Sequence, residues 1–264
     1  MEHFLILHSL DIYHLAILFL GGIFAAFIGS VVGSDGFIYL MFANLAGLPA
    51  NQNLLGSLKF FSITNAGYAI AKYNKEKTMI TYKFLKFCLP IGIFLWIPAI
   101  YLGSVVGTKY TNQILSILMP FFMLTIAIYK TFYKNQNKQL GIITKKQFFY
   151  IVLTVIFFYI GLLGPGSTTL IILAASAFRS YTHKSGIILA RHVDLFGNAV
   201  AMIIFLSQKH FYIDLIVAMT IAGIIGTNFG IKFLNKSNVA NLNRMLIFIL
   251  YSASIYYFYQ LIFS

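Results

Sequence analysis

GIILARHVDLFGNAVAMIIFL, Gly186–Leu206, is the stretch whose reading decides the fold. It is apolar at both ends and long enough to cross a bilayer, which takes about 20 apolar residues. Its middle carries Arg191, His192, Asp194 and Asn198. A charged side chain at the bilayer centre costs about 2.5–3.5 kcal/mol on insertion scales, so such residues face a bundle interior and mark an ion or substrate path. Arg191, Asp194 and Asn198 are spaced i, i+3, i+7 and share one helical face. The structural alternative is an Arg191–Asp194 pair that neutralises itself and only locks helix packing.

The rest of the chain agrees with a membrane reading. Of 264 residues, 59% are hydrophobic and 9% charged, and the mean hydropathy is +0.84. A soluble domain carries about 25% charged residues. The net charge of +13 would suggest nucleic acid in a soluble protein, but the excess of Lys and Arg in cytoplasmic loops is the simpler cause here. The single cysteine, Cys88, excludes an internal disulfide and a cysteine metal cluster. The N-terminal MEHFLILHSLDIYH lacks a basic n-region, so the first span is expected to act as an uncleaved signal.

Eight stretches are expected to span: Tyr13–Val32, Leu54–Tyr73, Phe84–Val106, Asn112–Phe132, Gln147–Leu163, Ser185–Leu206, Phe211–Phe233 and Asn241–Phe263. Two shorter apolar pieces, Gly36–Leu48 and Gly166–Phe178, each follow a glycine-rich break: GSVVGSDG at Gly29–Gly36 and GLLGPGS at Gly161–Ser167. If both short pieces count as crossings, fifteen of the nineteen Lys and Arg fall in loops on one side, and only Lys109 and Lys209 lie opposite. If neither crosses, the split weakens to eleven against six. The charge rule therefore prefers ten segments with both termini outside.

Ten segments divide into two fives that match in order. Break matches break. The span with Lys59, Ser62 and Asn65 matches the span with Arg191, Asp194 and Asn198. GSVVGTKY from Gly103 matches GTNFGIKF from Gly226. An odd number of crossings per half makes the copies opposite in orientation, an inverted repeat of the kind secondary transporters use. The expected architecture is an all-α polytopic helix bundle of eight long spans and two half-helices. Its first repeat is 1–132, its basic cytoplasmic linker 133–146 and its second repeat 147–264.

A break at membrane depth is tolerated where it lines a cavity. A half-helix starting there aims its amides and about half a positive charge into that cavity. Backbone at Gly36, Gly164 and Gly166, hydroxyls of Ser34, Ser167, Thr168 and Thr169, and the cations Lys59 and Arg191 together predict a donor-rich, positively biased site suited to a small oxyanion. Asn65 and Asn198 are expected to orient it. Asp35 opposes an anion unless it is protonated, in which case it couples protons, or paired with Lys59 in a structural role. Asp194 is expected to partner Arg191 or to be a second titrating site. His192 lies off the polar face and reads as packing, as do the G-x-x-x-G pairs Gly103/Gly107 and Gly226/Gly230.

No nucleophile elbow, zinc-protease helix, Walker loop or Cys/His cluster is present in the sequence. The expectation is therefore a transporter and not an enzyme, with no ATP, redox cofactor or metal. Its partners are a small inorganic or organic anion and the lipid bilayer, without nucleic acid, and homo-oligomerisation stays open. The rival readings are a proton- or cation-conducting transporter built on Asp35 and Asp194, and a non-transporting scaffold or assembly protein.

The motifs resemble the TauE/SafE family of sulfite and organosulfonate exporters. The resemblance rests on AFIGSVVGSDGFI (Ala26–Ile38), GLLGPGSTTLI (Gly161–Ile171), SLKFFSITN (Ser57–Asn65) and ARHVDLFGN (Ala190–Asn198). It runs from about Leu15 to Tyr259. In the last motif Arg191, Asp194 and Gly197 stand where the family pattern has Lys, Asn and Ser. Ser34 and Asp35 interrupt the glycine run, and Met41 stands near the place of the usual proline. The resemblance implies a permease of the bacterial inner membrane for a sulfur-containing or similar anion. The family's direction of transport does not carry over.

Overall fold

The computed structural model describes residues 10–33, 35–73, 86, 89–132, 146–179, 181, 183–236 and 239–263. Among these, nine helices follow one another: α1 (Ile12–Val32), α2 (Asp35–Leu45), α3 (Gln52–Lys72), α4 (Leu89–Phe132), α5 (Lys146–Leu162), α6 (Ser167–Arg179), α7 (His183–Ser207), α8 (Ile213–Lys236) and α9 (Val239–Phe263). The two helices after the glycine breaks, α2 and α6, have 11 and 13 residues. At 1.5 Å per residue they are too short to cross a hydrocarbon core about 30 Å thick.

Local chemistry sets the ends. Asp11 Oδ1 accepts from the His14 amide at 3.0 Å and starts α1. Asn51 Oδ1 accepts from the Leu54 amide at 2.9 Å and starts α3. Each satisfies one of the amides that a helix N-terminus leaves without a partner. Gly33, at φ +90°, closes α1 in the left-handed region, its amide donating to Gly29 O.

α1, α7 and α8 are both long and apolar enough to span. Shorter apolar stretches lie at Phe94–Gly107, Phe148–Leu162, Ser167–Phe178 and Ile247–Tyr259. The outward faces are apolar too: Phe94 is 80% and Phe248 73% exposed. Apolar inside and apolar outside is the pattern of a bundle whose solvent is lipid.

One expectation is corrected. Phe84–Val106 and Asn112–Phe132 read as separate crossings, but Leu89–Phe132 is one continuous helix of 44 residues, about 66 Å long. The polar run Thr108–Asn112 reads as a loop by hydropathy, yet it contains no glycine or proline and nothing in it stops a helix. Residues 84, 85, 87 and 88 lie outside the described residues.

The two halves interdigitate. α1 packs on α8, α3 on α7 and α8, and α9 on α4. The G-x-x-x-G pairs do what the sequence predicts. A side chain at Gly226 would meet Ile23 O at 2.1 Å, and one at Gly103 would meet Phe158 O at 2.0 Å. Gly226→Val should therefore cost about 3 kcal/mol, as overpacking against backbone does. Gly67, in the interior of α3, has nothing within 4 Å of the same position. Gly67→Ala should gain about 0.5–1 kcal/mol through helix propensity. Melting temperatures of the purified variants check both signs.

Candidate functional site

Both breaks come together inside the bundle. Gly36, at the start of α2, lies against Pro165, so closely that a Cβ there would be 2.9 Å from Pro165 Cα. Thr169 Oγ1 of α6 donates to Gly33 O at 2.9 Å. The second break turns through Gly164 (φ +92°) and Gly166 (φ +84°) on either side of Pro165, where other residues would be strained. Tyr159 Oη donates to Pro165 O at 2.5 Å and holds this turn under the end of α5.

Each helix end at the breaks meets a side chain of matching character. Asp35 begins α2, 5% exposed, and its Oδ1 accepts from the Gly36 amide at 3.1 Å. A carboxylate there suits the positive end of the helix dipole. Lys59 of α3, 1% exposed, donates from Nζ to Ile160 O at 2.6 Å and Leu163 O at 3.1 Å. It thereby satisfies carbonyls that the C-terminus of α5 leaves without partners. At the start of α6, Ser167 Oγ donates to Asp194 Oδ1 at 2.9 Å, and Thr168 Oγ1 donates to Asp194 Oδ2.

These pairings correct three expectations. Asp194 is not the ion-pair partner of Arg191. Arg191 Nη1 instead lies 3.3 Å from Asp35 Oδ2, while Asp194 takes two hydroxyls. Asp35 in turn does not pair with Lys59, whose ammonium is drawn to the carbonyl-rich end of α5. The hydroxyls of Ser167 and Thr168, expected to be free for a ligand, are held by Asp194. The spacing of Arg191 and Asp194 permits a pair on one helix. The first residue of α2 offers Arg191 a carboxylate from another element instead.

A narrow cavity, with room for about one water molecule, lies between the breaks. Of the expected site residues, Asp35, Gly36, Lys59, Gly164, Ser167, Thr168, Asp194 and Asn198 line it. Ser62, one turn after Lys59, also lines it, as do Leu58, Leu163 and Pro165. Ser62 was visible in the repeat match but not assigned to the site. Its i, i+3 spacing from Lys59 was the signal available.

Four expected residues do not line the cavity: Thr169, whose hydroxyl is committed to Gly33 O, Arg191, Gly166 and Asn65. Arg191 sits behind Asp35, with Nε and Nη2 buried and without a hydrogen bond among the described residues. Gly166 packs against the Phe37 ring. Asn65 is fully buried beside Gly223 of α8, with neither amide atom hydrogen-bonded among the described residues. Asn198 Nδ2 donates to Asp194 O at 3.0 Å, a bond along its own helix. His192 Nδ1 lies 2.8 Å from Ile188 O, in keeping with a packing role. Ser34 lies outside the described residues.

A model of the family described as "Sulfite exporter TauE/SafE" matches residues 18–257. The chain belongs to the TauE/SafE family. A Sinorhizobium relative, named "Probable membrane transporter protein ORF9", is 29% identical over 163 residues, which covers 61% of this chain and 60% of the relative. A Haemophilus influenzae relative, named "Probable membrane transporter protein", is 26% identical over 228 residues, covering 83% and 84%. No solved structure matches. The TauE/SafE match contains both breaks, α3 and α7, and therefore the whole cavity.

Proposed function

We propose that this TauE/SafE chain is a secondary transporter of a small anion: sulfite, a sulfonate or a related sulfur oxyanion. The observation that carries the reading is the cavity where α2 and α6 begin and where Lys59 and the hydroxyls of Ser62, Ser167 and Thr168 converge. Helix N-termini, a buried ammonium and hydroxyl donors are the chemistry that receives oxyanions. Arg191, outside the lining and paired with Asp35, adds positive charge close behind the site. The family description supplies sulfite as the first substrate to test.

In this reading the chain lies in the bacterial inner membrane, with residues 1–132 and 147–264 as two repeats joined by the cytoplasmic linker 133–146. Gly36, Gly164 and Asn198 shape the site as part of its lining, and Gly166 and Asn65 support it from behind. An inside-negative potential drives an anion outward by about 2.3 kcal/mol per charge per 100 mV, so export needs no coupling ion and import does.

The test is thermal stabilisation of the purified protein by sulfite, sulfate, thiosulfate, sulfoacetate, taurine, carboxylates and phosphate. A ligand that binds only the folded state raises its apparent stability by mass action. A shift with one sulfur anion supports the reading, and no shift with any anion sinks it. The two carboxylates that line the cavity, Asp35 and Asp194, favour a proton or cation pathway as the second reading. That pathway predicts flux that survives loss of Arg191 but not of Asp35.

A further inference from the structure

Asp194 holds two of the hydroxyl donors that line the cavity. Its two oxygens take the two hydroxyls at the start of α6, one each. It is 2% exposed, and no Lys, Arg or His nitrogen lies within ion-pair distance of it among the described residues. Asp35 differs, because Arg191 and the Gly36 amide hold it. The charged groups acting on Asp194 are Arg191 from its own helix, Asp35 from α2 and Lys59 from α3. From α6 it receives only hydroxyls. α5 contributes Tyr159, whose hydroxyl is committed to Pro165 O, and α4 packs on α7 through Trp96.

We infer that Asp194 is an internal stand-in for the transported anion, and that the anion binds together with one proton taken up by this carboxyl. The inference rests on the anion-transport reading and specifies how the same site is regulated. Two negative charges cannot share the same two hydroxyls in a cavity with little water, where their repulsion is far less screened than in bulk. Protonation of one Asp194 oxygen removes that charge. It also turns an acceptor into a donor and releases at least one hydroxyl to the ligand. The step is a protonation alone: the proton comes from water, and no bond in the anion changes. A univalent anion and its proton then cross with no net charge, so the flux follows the anion and pH gradients together, and the voltage term that would act on a bare anion cancels.

The full chain is purified and titrated with methanesulfonate and with sulfate, whose charges are constant through the neutral range. Binding is read by thermal shift across pH, and proton uptake by an indicator dye in weak buffer. About one proton should be taken up per anion bound. The apparent Kd should rise roughly tenfold per pH unit once the carboxyl is ionised. Asp194→Asn should bind with an affinity that no longer changes with pH. Anion binding by the native protein without proton uptake overturns the inference and leaves the transport reading standing. A pH slope that persists in Asp194→Asn also overturns it. If that variant does not fold, proton uptake by the native protein decides alone. No stabilisation by any anion, even at the acid end where Asp194 is neutral, overturns both readings.

Discussion

Arg191→Gln should destabilise the protein by about 3–5 kcal/mol, the usual cost of removing one member of a buried ion pair. The substitution leaves Asp35, 5% exposed, facing α7 without a cation. The companion variant Asp35→Asn/Arg191→Gln should recover most of the loss, because two neutral amides of similar shape replace two charges. Chemical denaturation in detergent, carried out as a double-mutant cycle, measures the coupling. Single losses that simply add in the double variant would show that the 3.3 Å contact carries no energy of its own. Arg191→Lys should not restore the native value, since an ammonium on a different stem cannot present the same planar fork.

The second large effect is expected at Lys59. Lys59→Met removes the only lysine among the residues lining the cavity and leaves Ile160 O and Leu163 O without their donor. Anion-dependent stabilisation should fall by about 3 kcal/mol, roughly a hundredfold in Kd, the scale of deleting one charged partner of a buried contact. Lys59→Arg should also be impaired. The ammonium sits so near Gly164 that a Cβ there would lie 2.3 Å from Nζ, and a guanidinium needs more room. If Lys59→Met binds every anion as the native chain does, Lys59 is only the cap of α5 and the anion must be held elsewhere. The comparison separates a lysine that serves the helix end alone from one that also meets the ligand.

Much of this arrangement is written in local sequence. Apolar length marks α1, α7 and α8 as spans. Glycine and proline mark the breaks at Gly33 and at Gly164–Gly166, and buried polar residues in apolar helices mark α3 and α7 as the lining helices. These features depend on residues within a turn or two of one another, and local rules reach that far. The choice of partner is different. Arg191 and Asp35 are 156 positions apart, and Lys59 and Leu163 are 104. Whether Arg191 meets Asp194 or Asp35 depends on where the start of α2 lies relative to α7, which no spacing on one helix encodes. Asn65 shows the same limit. Its motif placed it in the site, whereas helix rotation turned it toward Gly223 of α8. The continuity of α4 was hidden for another reason. Hydropathy reports solvent preference, and the polar turn Thr108–Asn112 has a different solvent preference from its flanks but the same backbone.

The two buried cations each find their acceptor in the opposite half of the chain. Lys59, before the linker, is satisfied by carbonyls of 160 and 163. Arg191, after it, is satisfied by Asp35. Severed at the linker and produced singly, each fragment would carry an orphan cation into the membrane, and neither could reach its native fold alone. Produced together, the fragments could re-form every one of these contacts, because each bridges the cut non-covalently and needs no peptide bond there. Each fragment is thus an obligate template for the other.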